Sequence, residues 1–351
     1  MVGHFFFTSF TMLSSTGSGE PHVSAFVHGA EIGHTELYEL RSTADPGAAR
    51  IFAKCEFRNP TGSHKDRVFA FMLDELERAG TIAPGMTLVE CSTGNGGAAL
   101  SRAGRDRGYR VVIVMPAGMT EERRRQIASF GGTVIETDPE GFLLEGEETA
   151  RRYVAAHPGS HYLDQSANEL NWRAWRSCGT EIVTALDALG LVPDRFVCSL
   201  GTGGTFTGIA DVLKAAHPGL RTTAVEVDRS AALYAKRHGL PFTHHTHNLM
   251  GLGPGKVPAN LREELVDEVE LISGDDGWAV MKELIEKEGL CVGPTAGGNV
   301  FAARRLARTL PPDAVVITVL FDSAWKYFSV WDGRYAQYAT DDAPYAAEGA
   351  E

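Results

Sequence analysis

The chain has 351 residues, of which 43% are hydrophobic and 22% are charged, and a formal net charge of −12 at pH 7. This length favours two domains with complete hydrophobic cores, and the composition is that of an ordinary globular protein. The acidic balance disfavours nucleic acids and anionic membrane surfaces as partners, because both bind basic patches.

The N-terminal segment, MVGHFFFTSFTML, contains an apolar run that is too short to cross a bilayer and that no Lys or Arg precedes. We expect a disordered leader over residues 1–29, or a start site nearer Met12. No other segment approaches transmembrane length. The five cysteines include no CxxC pair, so we interpret them as reduced thiols of a cytoplasmic protein rather than as disulfides or a metal site.

From about residue 50, short β-rich segments alternate with amphipathic helical segments. The predicted strands are apolar or β-branched throughout, which is typical of parallel strands that are covered on both faces. They are Thr87–Cys91, Val111–Met115, Thr133–Glu136, Phe196–Leu200, Thr222–Val227 and Ala314–Leu320. The alternation predicts an α/β fold with parallel sheets, in which ligands bind at the loops that follow the strands.

The predicted helices lie between these strands. An apolar stripe at helical spacing follows Asp66 and ends before Gly80, which stops the helix. Its members are Phe69, Met72, Leu73 and Leu76. Thr120 is expected to cap a second helix. Further helices are predicted over Phe206–Ala216 and Val300–Thr309.

Four of the strand-to-helix loops are rich in Gly, Ser, Thr and Asn. The first has the sequence NPTGSHKDR and places Lys65 at the start of a helix. Burial and the helix dipole both lower the pKa of a lysine there, and the neutral amine is the form that makes a Schiff base. Taken alone, this loop would favour a solvated surface lysine at a helix start.

The other three loops offer anion sites and a hydroxyl group. Ser92–Gly97 (STGNGG) follows a strand directly, and hydroxyls with free N–H groups at a helix start bind a carboxylate or a phosphate. Gly201–Thr205 (GTGGT) predicts a phosphate cup, because glycines let the backbone approach an anion closely. Gly293–Asn299 contributes the neutral hydroxyl of Thr295. Capped or tight turns are the structural alternatives for each loop taken alone.

In this order the four loops resemble those of the β-family, or fold type II, of pyridoxal-phosphate enzymes, which includes cysteine synthase and cystathionine β-synthase. The resemblance extends from about Ile32 to about Ser329. Weaker similarities lie at Ile32–Leu37 (IGHTEL), Asp164–Gln165, His247–Gly253 (HNLMGLG) and Phe321–Ser323. The resemblance implies that Lys65 holds pyridoxal 5'-phosphate as a Schiff base and takes the α-proton of an amino-acid substrate once it is released.

The same resemblance assigns roles to the remaining site residues. Those expected to bind the cofactor are His64, Lys65, Asn95, Gly201, Thr202, Gly203, Gly204, Thr205 and Thr295. Those expected to bind the substrate are Ser92, Thr93, Gly94, Asn95, Gln165 and Gly251. Thr295 is expected to face the pyridine nitrogen, and a neutral hydroxyl does not hold a proton there as an Asp would. This favours chemistry at the β-carbon over transamination or racemisation. No metal ligand is expected.

The fold that the resemblance implies is the tryptophan synthase β-like fold. It consists of two α/β domains with mostly parallel twisted sheets flanked by helices, and the cofactor lies in the cleft between them. We expect residues 55–165 to form the smaller domain, which closes on the substrate. Residues 30–54 plus 166–338 form the larger domain, and residues 339–351 form a disordered acidic tail. A homodimer is the expectation for this family.

Four departures from the family pattern leave the substrate and the nucleophile open. Gly96 stands where a Thr is usual, Thr93 where a Ser is usual, and His64 where a small aliphatic residue is usual. Glu36 stands where the opening run of the family has a Pro. The leading hypothesis is β-replacement on serine or an O-activated serine, through an aminoacrylate that a small nucleophile attacks. The alternatives are a β-eliminating lyase (a serine/threonine dehydratase or cysteine desulfhydrase, giving a keto acid and ammonia) and a non-catalytic regulator that binds the cofactor or an amino acid.

Overall fold

A computed structural model of the chain describes residues 31–335, and its strands form two sheets that are flanked by helices. The strands are β1 Leu37–Leu40, β2 Arg50–Lys54, β3 Thr87–Cys91, β4 Arg110–Pro116, β5 Thr133–Thr137, β6 Ser160–Tyr162, β7 Arg195–Ser199, β8 Arg221–Val227, β9 Glu268–Ile272 and β10 Val315–Val319. The helices are α1 Lys65–Arg78, α2 Asn95–Asp106, α3 Glu121–Ser129, α4 Phe142–Ala156, α5 Leu170–Ala174, α6 Arg176–Leu189, α7 Gly204–Ala216, α8 Ala232–His238, α9 Gly274–Glu288 and α10 Pro294–Ala307.

The larger sheet has six strands in the order β1-β2-β10-β7-β8-β9, and the smaller has four in the order β5-β4-β3-β6. Only the β1–β2 pair is antiparallel among the strand pairs of the described residues. All six predicted strands form, with ends that differ by at most one residue. The predicted α/β architecture with mostly parallel sheets between helices is therefore confirmed.

Central strands are buried on both faces, as their uninterrupted apolar sequences predicted. All five residues of β10 (VVITV) are buried, and its single polar side chain, Thr318, donates a hydrogen bond to the Val197 carbonyl at 2.9 Å. That bond satisfies the hydroxyl inside the core, where an unpaired polar group is costly. The sheet edge formed by the carboxyl ends of these strands is where the predicted loops emerge.

The two sheets come from the segments that were predicted as separate domains. The four-stranded sheet lies within residues 87–162, and the strands of the six-stranded sheet lie within 37–54 and 195–319. The domain boundaries themselves (55–165, and 30–54 plus 166–338) stay a prediction. The predicted leader, 1–29, and tail, 339–351, lie outside the described residues.

Two local predictions were wrong. The segment Gly293–Asn299, expected as a loop, forms the first turns of α10, which begins at Pro294 rather than at Val300. Proline suits a first helical turn, and a Cβ at Gly297 would overlap the Gly277 carbonyl, so the glycines allow α9 and α10 to pack closely. Thr120 precedes α3, but its hydroxyl donates to the Lys326 carbonyl at 2.8 Å and does not cap the helix.

The cysteines carry no disulfide. Cys291 is exposed, and the other four (Cys55, Cys91, Cys178 and Cys198) are buried as free thiols. Within residues 31–335, no cluster of His, Cys, Asp and Glu has the arrangement of a metal site. No helix in this part of the chain has the length and hydropathy needed to span a membrane.

Candidate active site

Four helices, α1, α2, α7 and α10, begin around one cavity of about 980 Å³, a volume that includes the open solvent at its mouth. Most of the predicted site residues line this cavity. They are His64, Lys65, Ser92, Thr93, Asn95, Gln165, Gly201, Thr202, Gly203, Thr205, Gly251 and Thr295. Gly94 and Gly204 lie in the same loops but not in the cavity wall. The topology thus brings residues that are 230 positions apart in the chain to one place.

Lys65 is the first residue of α1, and its side chain faces the cavity. Burial lowers the pKa of this lysine from its ordinary value of 10.5 to about 8, although the charge of Glu90 opposes the shift. Within the described chain its ammonium nitrogen makes no hydrogen bond or ion pair. A lysine in this state is partly neutral near physiological pH, so it is able to act as a nucleophile and as a base.

The start of α1 is held rigidly by charged and polar contacts. Asp66 accepts hydrogen bonds from the Thr61 backbone N–H at 2.9 Å and from the Thr61 hydroxyl at 2.8 Å. Arg67 is buried and pairs with Glu56 at 2.8 Å and with Glu181 at 2.7 Å. These contacts of the two residues that follow Lys65 fix the position from which its side chain extends.

Glu90 is a buried carboxyl group that the sequence analysis did not single out. It lies in β3, and its oxygens accept hydrogen bonds from the backbone N–H groups of Cys91, at 3.0 Å, and Gln165, at 3.2 Å. Burial raises the pKa of Glu90 well above its ordinary value, and these two hydrogen bonds only partly offset that effect. Glu90 could not be predicted from the sequence, because it lies in a mostly apolar strand and nothing in that strand indicates that it is close to Lys65.

The STGNGG segment presents unpaired backbone N–H groups at the start of α2. The Ser92 oxygen accepts hydrogen bonds from the N–H groups of Gly94 and Gly97, both at 3.0 Å, so it caps the helix and retains only its own O–H for a ligand. Gly94 has φ +138°, and a Cβ there would lie 2.5 Å from Arg123. The N–H groups of Asn95 and Gly96 have no partner in the described chain. Two free donors at a helix start fit a substrate carboxylate.

Gly96 does not enlarge the cavity, although a Thr is usual at this position in the resembling family. A Cβ at Gly96 would lie 2.9 Å from the Gln165 amide nitrogen and 3.0 Å from the Ser92 hydroxyl. Gln165 therefore occupies the space that a side chain at position 96 would need. Its amide nitrogen donates to the Cys91 carbonyl at 3.0 Å, and its amide oxygen is buried without a partner.

Asn95 connects the smaller sheet to the segment that follows the last strand of the larger sheet. Its amide nitrogen donates to Asp322 at 2.7 Å, and the Tyr327 hydroxyl donates to the same carboxylate oxygen at 2.7 Å. The amide oxygen of Asn95 is buried and unpartnered. The sequence indicated a family similarity at Phe321–Ser323. It did not predict the hydrogen bond between Asn95 and Asp322, because the two residues are distant in the chain.

The GTGGT segment and the start of α7 present a second set of unpaired backbone N–H groups. The N–H groups of Gly203, Gly204 and Thr205 have no acceptor in the described chain, as expected for the first turn of a helix. A Cβ at Gly201 would lie 2.8 Å from the Gly251 carbonyl. Thr202 accepts a hydrogen bond from Asn171 at 3.0 Å. Free donors, tight backbone approach and the helix dipole together suit a phosphate.

Thr295 and His64 complete the wall with polar atoms that lack protein partners. The Thr295 hydroxyl is buried and unpartnered, and a Cβ at Gly251 would lie 3.0 Å from it. The Nδ1 atom of His64 is likewise buried and unpartnered, while its ring packs 4.9 Å from the Phe321 ring. Burial holds the pKa of His64 well below its ordinary value, so this imidazole is neutral.

Comparison with known proteins agrees with this geometry. The sequence model of the family described as pyridoxal-phosphate dependent enzyme matches residues 30–322. The chain belongs to this family. Among its curated relatives is a probable cysteine synthase of Bacillus subtilis, which is 35% identical over 85% of this chain and 94% of the relative. Cysteine synthase 3 of Caenorhabditis elegans is 37% identical over 86% of this chain and 88% of that protein.

A solved structure shows the same fold. The O-acetylserine-dependent cystathionine β-synthase of Helicobacter pylori superposes with a TM-score of 0.78 and 29% identity, covering 85% of this chain and 95% of that one. The protein is therefore a fold type II enzyme of the cysteine synthase and cystathionine β-synthase group, and its cofactor is pyridoxal 5'-phosphate.

The cavity fits this pyridoxal-phosphate cofactor at independent points. An unpaired primary amine, Lys65, is available for its aldehyde, and the free N–H groups of Gly203–Thr205 are available for its phosphate. The lone Thr295 hydroxyl is available for a ring nitrogen. A ligand atom that binds an unpartnered polar atom of the cavity wall satisfies it, and an unsatisfied buried group is costly. The role of each individual residue toward the cofactor or the substrate stays a prediction.

Proposed function

We propose that the protein catalyses β-replacement on O-activated serine, in which a small nucleophile takes the place of the leaving group on Cβ. The observation that carries this proposal is the position of Lys65. It is a lysine with a pKa of about 8, and it lies in one cavity with a carboxylate site, a phosphate site and a neutral hydroxyl. The cysteine synthase relatives and the O-acetylserine-dependent neighbour support the same reaction class.

The residues of the chain divide the reaction between them. The N–H groups of Asn95 and Gly96 bind the substrate carboxylate, and the Gln165 amide oxygen accepts a hydrogen bond from the substrate. The neutral Lys65 amine accepts the proton from Cα. The Cβ–O bond then breaks, and the leaving group departs with its electron pair. The nucleophile forms the new bond to Cβ, and Lys65 returns the proton to Cα.

When bound, the cofactor supplies the electron withdrawal that acidifies Cα. In the proposed arrangement Thr295 moderates this effect. A hydroxyl beside the pyridine nitrogen does not keep that nitrogen protonated, so the ring stabilises negative charge at Cα less well. Loss of a β-leaving group then removes this charge more readily than delocalisation into the ring stabilises it. Thr295 therefore favours β-chemistry over transamination.

Further parts of the proposal rest on the family resemblance. We infer a homodimer and a cytoplasmic location, and the five free cysteines support a reducing compartment. Closure of the predicted smaller domain, 55–165, would exclude water from the cavity during turnover. Sulfide is the nucleophile that the cysteine synthase relatives suggest.

Product analysis tests the proposed reaction. The purified enzyme is incubated with L-serine, O-acetyl-L-serine or O-phospho-L-serine, each with and without sulfide, and cysteine and pyruvate are measured. We expect cysteine to form from an activated serine, with pyruvate a minor product that sulfide suppresses. Pyruvate and ammonia formed at the same rate with and without sulfide would instead identify a β-eliminating lyase.

A further inference from the structure

A second lysine, Lys256, lies in the wall of the cavity that holds Lys65. It follows a loop with two left-handed glycines, Gly253 at φ +58° and Gly255 at φ +77°. Its ammonium group pairs with Glu147 of α4 at 2.7 Å. The lysine side chain is 34% exposed, whereas that of Glu147 is only 5% exposed. The cation thus lies at the accessible side of the pair.

Neither of the two anion sites already described uses this charge. The carboxylate site and the phosphate site are built from backbone N–H groups at the starts of α2 and α7. Among the described residues that line the cavity, the charged side chains are Lys65, Lys256 and Asp322. Lys65 is committed to the cofactor, and Asp322 accepts hydrogen bonds from Asn95 and Tyr327. Lys256 is therefore the cation that remains for a reactant.

The Lys256–Glu147 pair lies beside the carboxylate loop, Ser92–Gly97. The first turn of α4 contributes Leu143 to the cavity wall, and the Cys91 thiol donates to the Leu143 carbonyl at 3.7 Å. A Cβ at Gly146 would lie 2.6 Å from the Cys91 sulfur, so α4 packs directly on the end of β3. Glu147 is the next residue after Gly146 in α4, and Ser92 is the next residue after Cys91 and begins the carboxylate loop.

Lys256 retains the capacity to bind a further anion. An ammonium group has three donors, and Glu147 takes one of them. The second oxygen of Glu147 is buried without a hydrogen bond, and Arg151 lies 4.0 Å from the first. The carboxylate thus keeps a second cation nearby when Lys256 turns toward a ligand.

We propose that Lys256 is a specificity-determining residue. It binds an anionic group on one of the two reactants, and that group is separate from the atom that reacts. That group is a phosphate on the serine oxygen or a carboxylate on a thiol nucleophile, and in both cases charged oxygens accept the lysine's donors. When the reactants are O-phosphoserine and a thiol, the products are an S-substituted cysteine and phosphate. The Cβ–O bond breaks with its electron pair on phosphate, a C–S bond forms, and the thiol proton passes to solvent. The inference rests on the proposed β-replacement.

Matched substrate pairs on the holoenzyme test this inference. O-phospho-L-serine is compared with O-acetyl-L-serine, and 3-mercaptopropionate with 2-mercaptoethanol, in the wild type and in Lys256→Gln. We expect kcat/KM to fall about 10- to 100-fold for the charged member of one pair and less than about 3-fold for its neutral partner, because one charge-assisted hydrogen bond is lost. The pair that responds identifies which reactant carries the anion.

Further variants separate recognition from damage to the fold. Lys256→Arg should restore most of the preference, and Glu147→Gln should lower KM for the charged member because it removes the competing carboxylate. Lys236→Gln is the control, since Lys236 lies on α8 outside the cavity wall and pairs with Glu263 at 2.6 Å. As a readout independent of turnover, the dissociation constant of inorganic phosphate or 3-mercaptopropionate, measured by calorimetry, should rise about 10-fold in Lys256→Gln.

Equal effects on the charged and neutral members of both pairs, or no effect on either, would overturn the role of Lys256. The proposed function fails differently: the wild-type enzyme would then form no S-substituted cysteine from either serine derivative. Activity of Lys256→Gln on the neutral pair shows that this variant is folded and loaded with cofactor.

Discussion

A lysine acts as a base near neutral pH only where its surroundings disfavour the ammonium form. For Lys65 that condition is met by burial at the start of α1, and the pKa falls to about 8. A lysine at a helix start in a polar loop predicts the same direction from sequence alone. Glu90, whose charge opposes the shift, could not be predicted, because the sheet and not the local sequence decides which strand residues lie beside a loop.

The pH dependence of cofactor uptake tests this property. Only the neutral amine attacks an aldehyde, so the rate at which cofactor-free enzyme captures pyridoxal 5'-phosphate should rise with pH and level off above about pH 8. Stopped-flow absorbance measures that rate. A rise that continues to the ordinary lysine value of 10.5 would mean that the site leaves Lys65 unperturbed. Lys65→Arg, which keeps the charge but is not deprotonated, should give no uptake phase.

The helices α1, α2, α7 and α10 bring these residues together, because all four begin at the cavity. The Gly-rich loops were recognisable from sequence because glycine is required where backbone meets a neighbour or a ligand. The fourth predicted loop, Gly293–Asn299, is instead helical from Pro294 onward, and its glycines allow α9 to pack closely against α10. A glycine run signals close approach, but it does not say whether the approaching group is a ligand or another helix.

Gly204, the first residue of α7, gives an element-scale prediction. A Cβ there would overlap the Asn171 side chain, which donates to Thr202 at 3.0 Å and to the Gln165 carbonyl at 2.7 Å. Gly204→Ala should therefore cost about 1–3 kcal/mol in the free energy of unfolding. It should also weaken cofactor binding about 10-fold or more, because displacing Asn171 disturbs the phosphate loop.

The matched control for Gly204→Ala is an exposed glycine in the turn that follows the same helix. A Cβ at Gly219 meets nothing within 4 Å, so Gly219→Ala should change stability by less than about 0.5 kcal/mol. Urea denaturation and absorbance titration with the cofactor measure both quantities. Wild-type cofactor affinity in Gly204→Ala would show that the packing around Asn171 does not support the phosphate loop.

At the scale of the whole molecule, the two sheets meet through polar contacts across the cavity. Asp322, after β10, accepts a hydrogen bond from Asn95, after β3, and lies 3.8 Å from the buried guanidinium of Arg123 on α3. The fold class followed from the alternation of strands and helices. The contacts between the sheets could not be predicted in this way, because they join residues 199 and 227 positions apart and depend on how the sheets are oriented.

Asp322→Asn tests this connection. The substitution leaves the size of the side chain unchanged but removes the buried charge that faces Arg123, so we expect a loss of about 3 kcal/mol in the free energy of unfolding. It should also raise KM for the amino-acid substrate, because Asn95 loses its anchor. Asp45→Asn is the control: it weakens a surface pair with Arg308, 2.7 Å long, and should cost less than about 1 kcal/mol. Equal losses in the two variants would contradict the role of Asp322.

Chemical trapping shows which lysine carries the cofactor, and we propose that it is Lys65. Holoenzyme is reduced with sodium borohydride, digested, and the pyridoxyl group is located by mass spectrometry. We expect the label on the peptide that contains Lys65, and we expect Lys65→Ala to yield no labelled peptide while it retains the wild-type circular dichroism spectrum. A label on Lys256 or another lysine, or full activity of Lys65→Ala, would contradict this proposal.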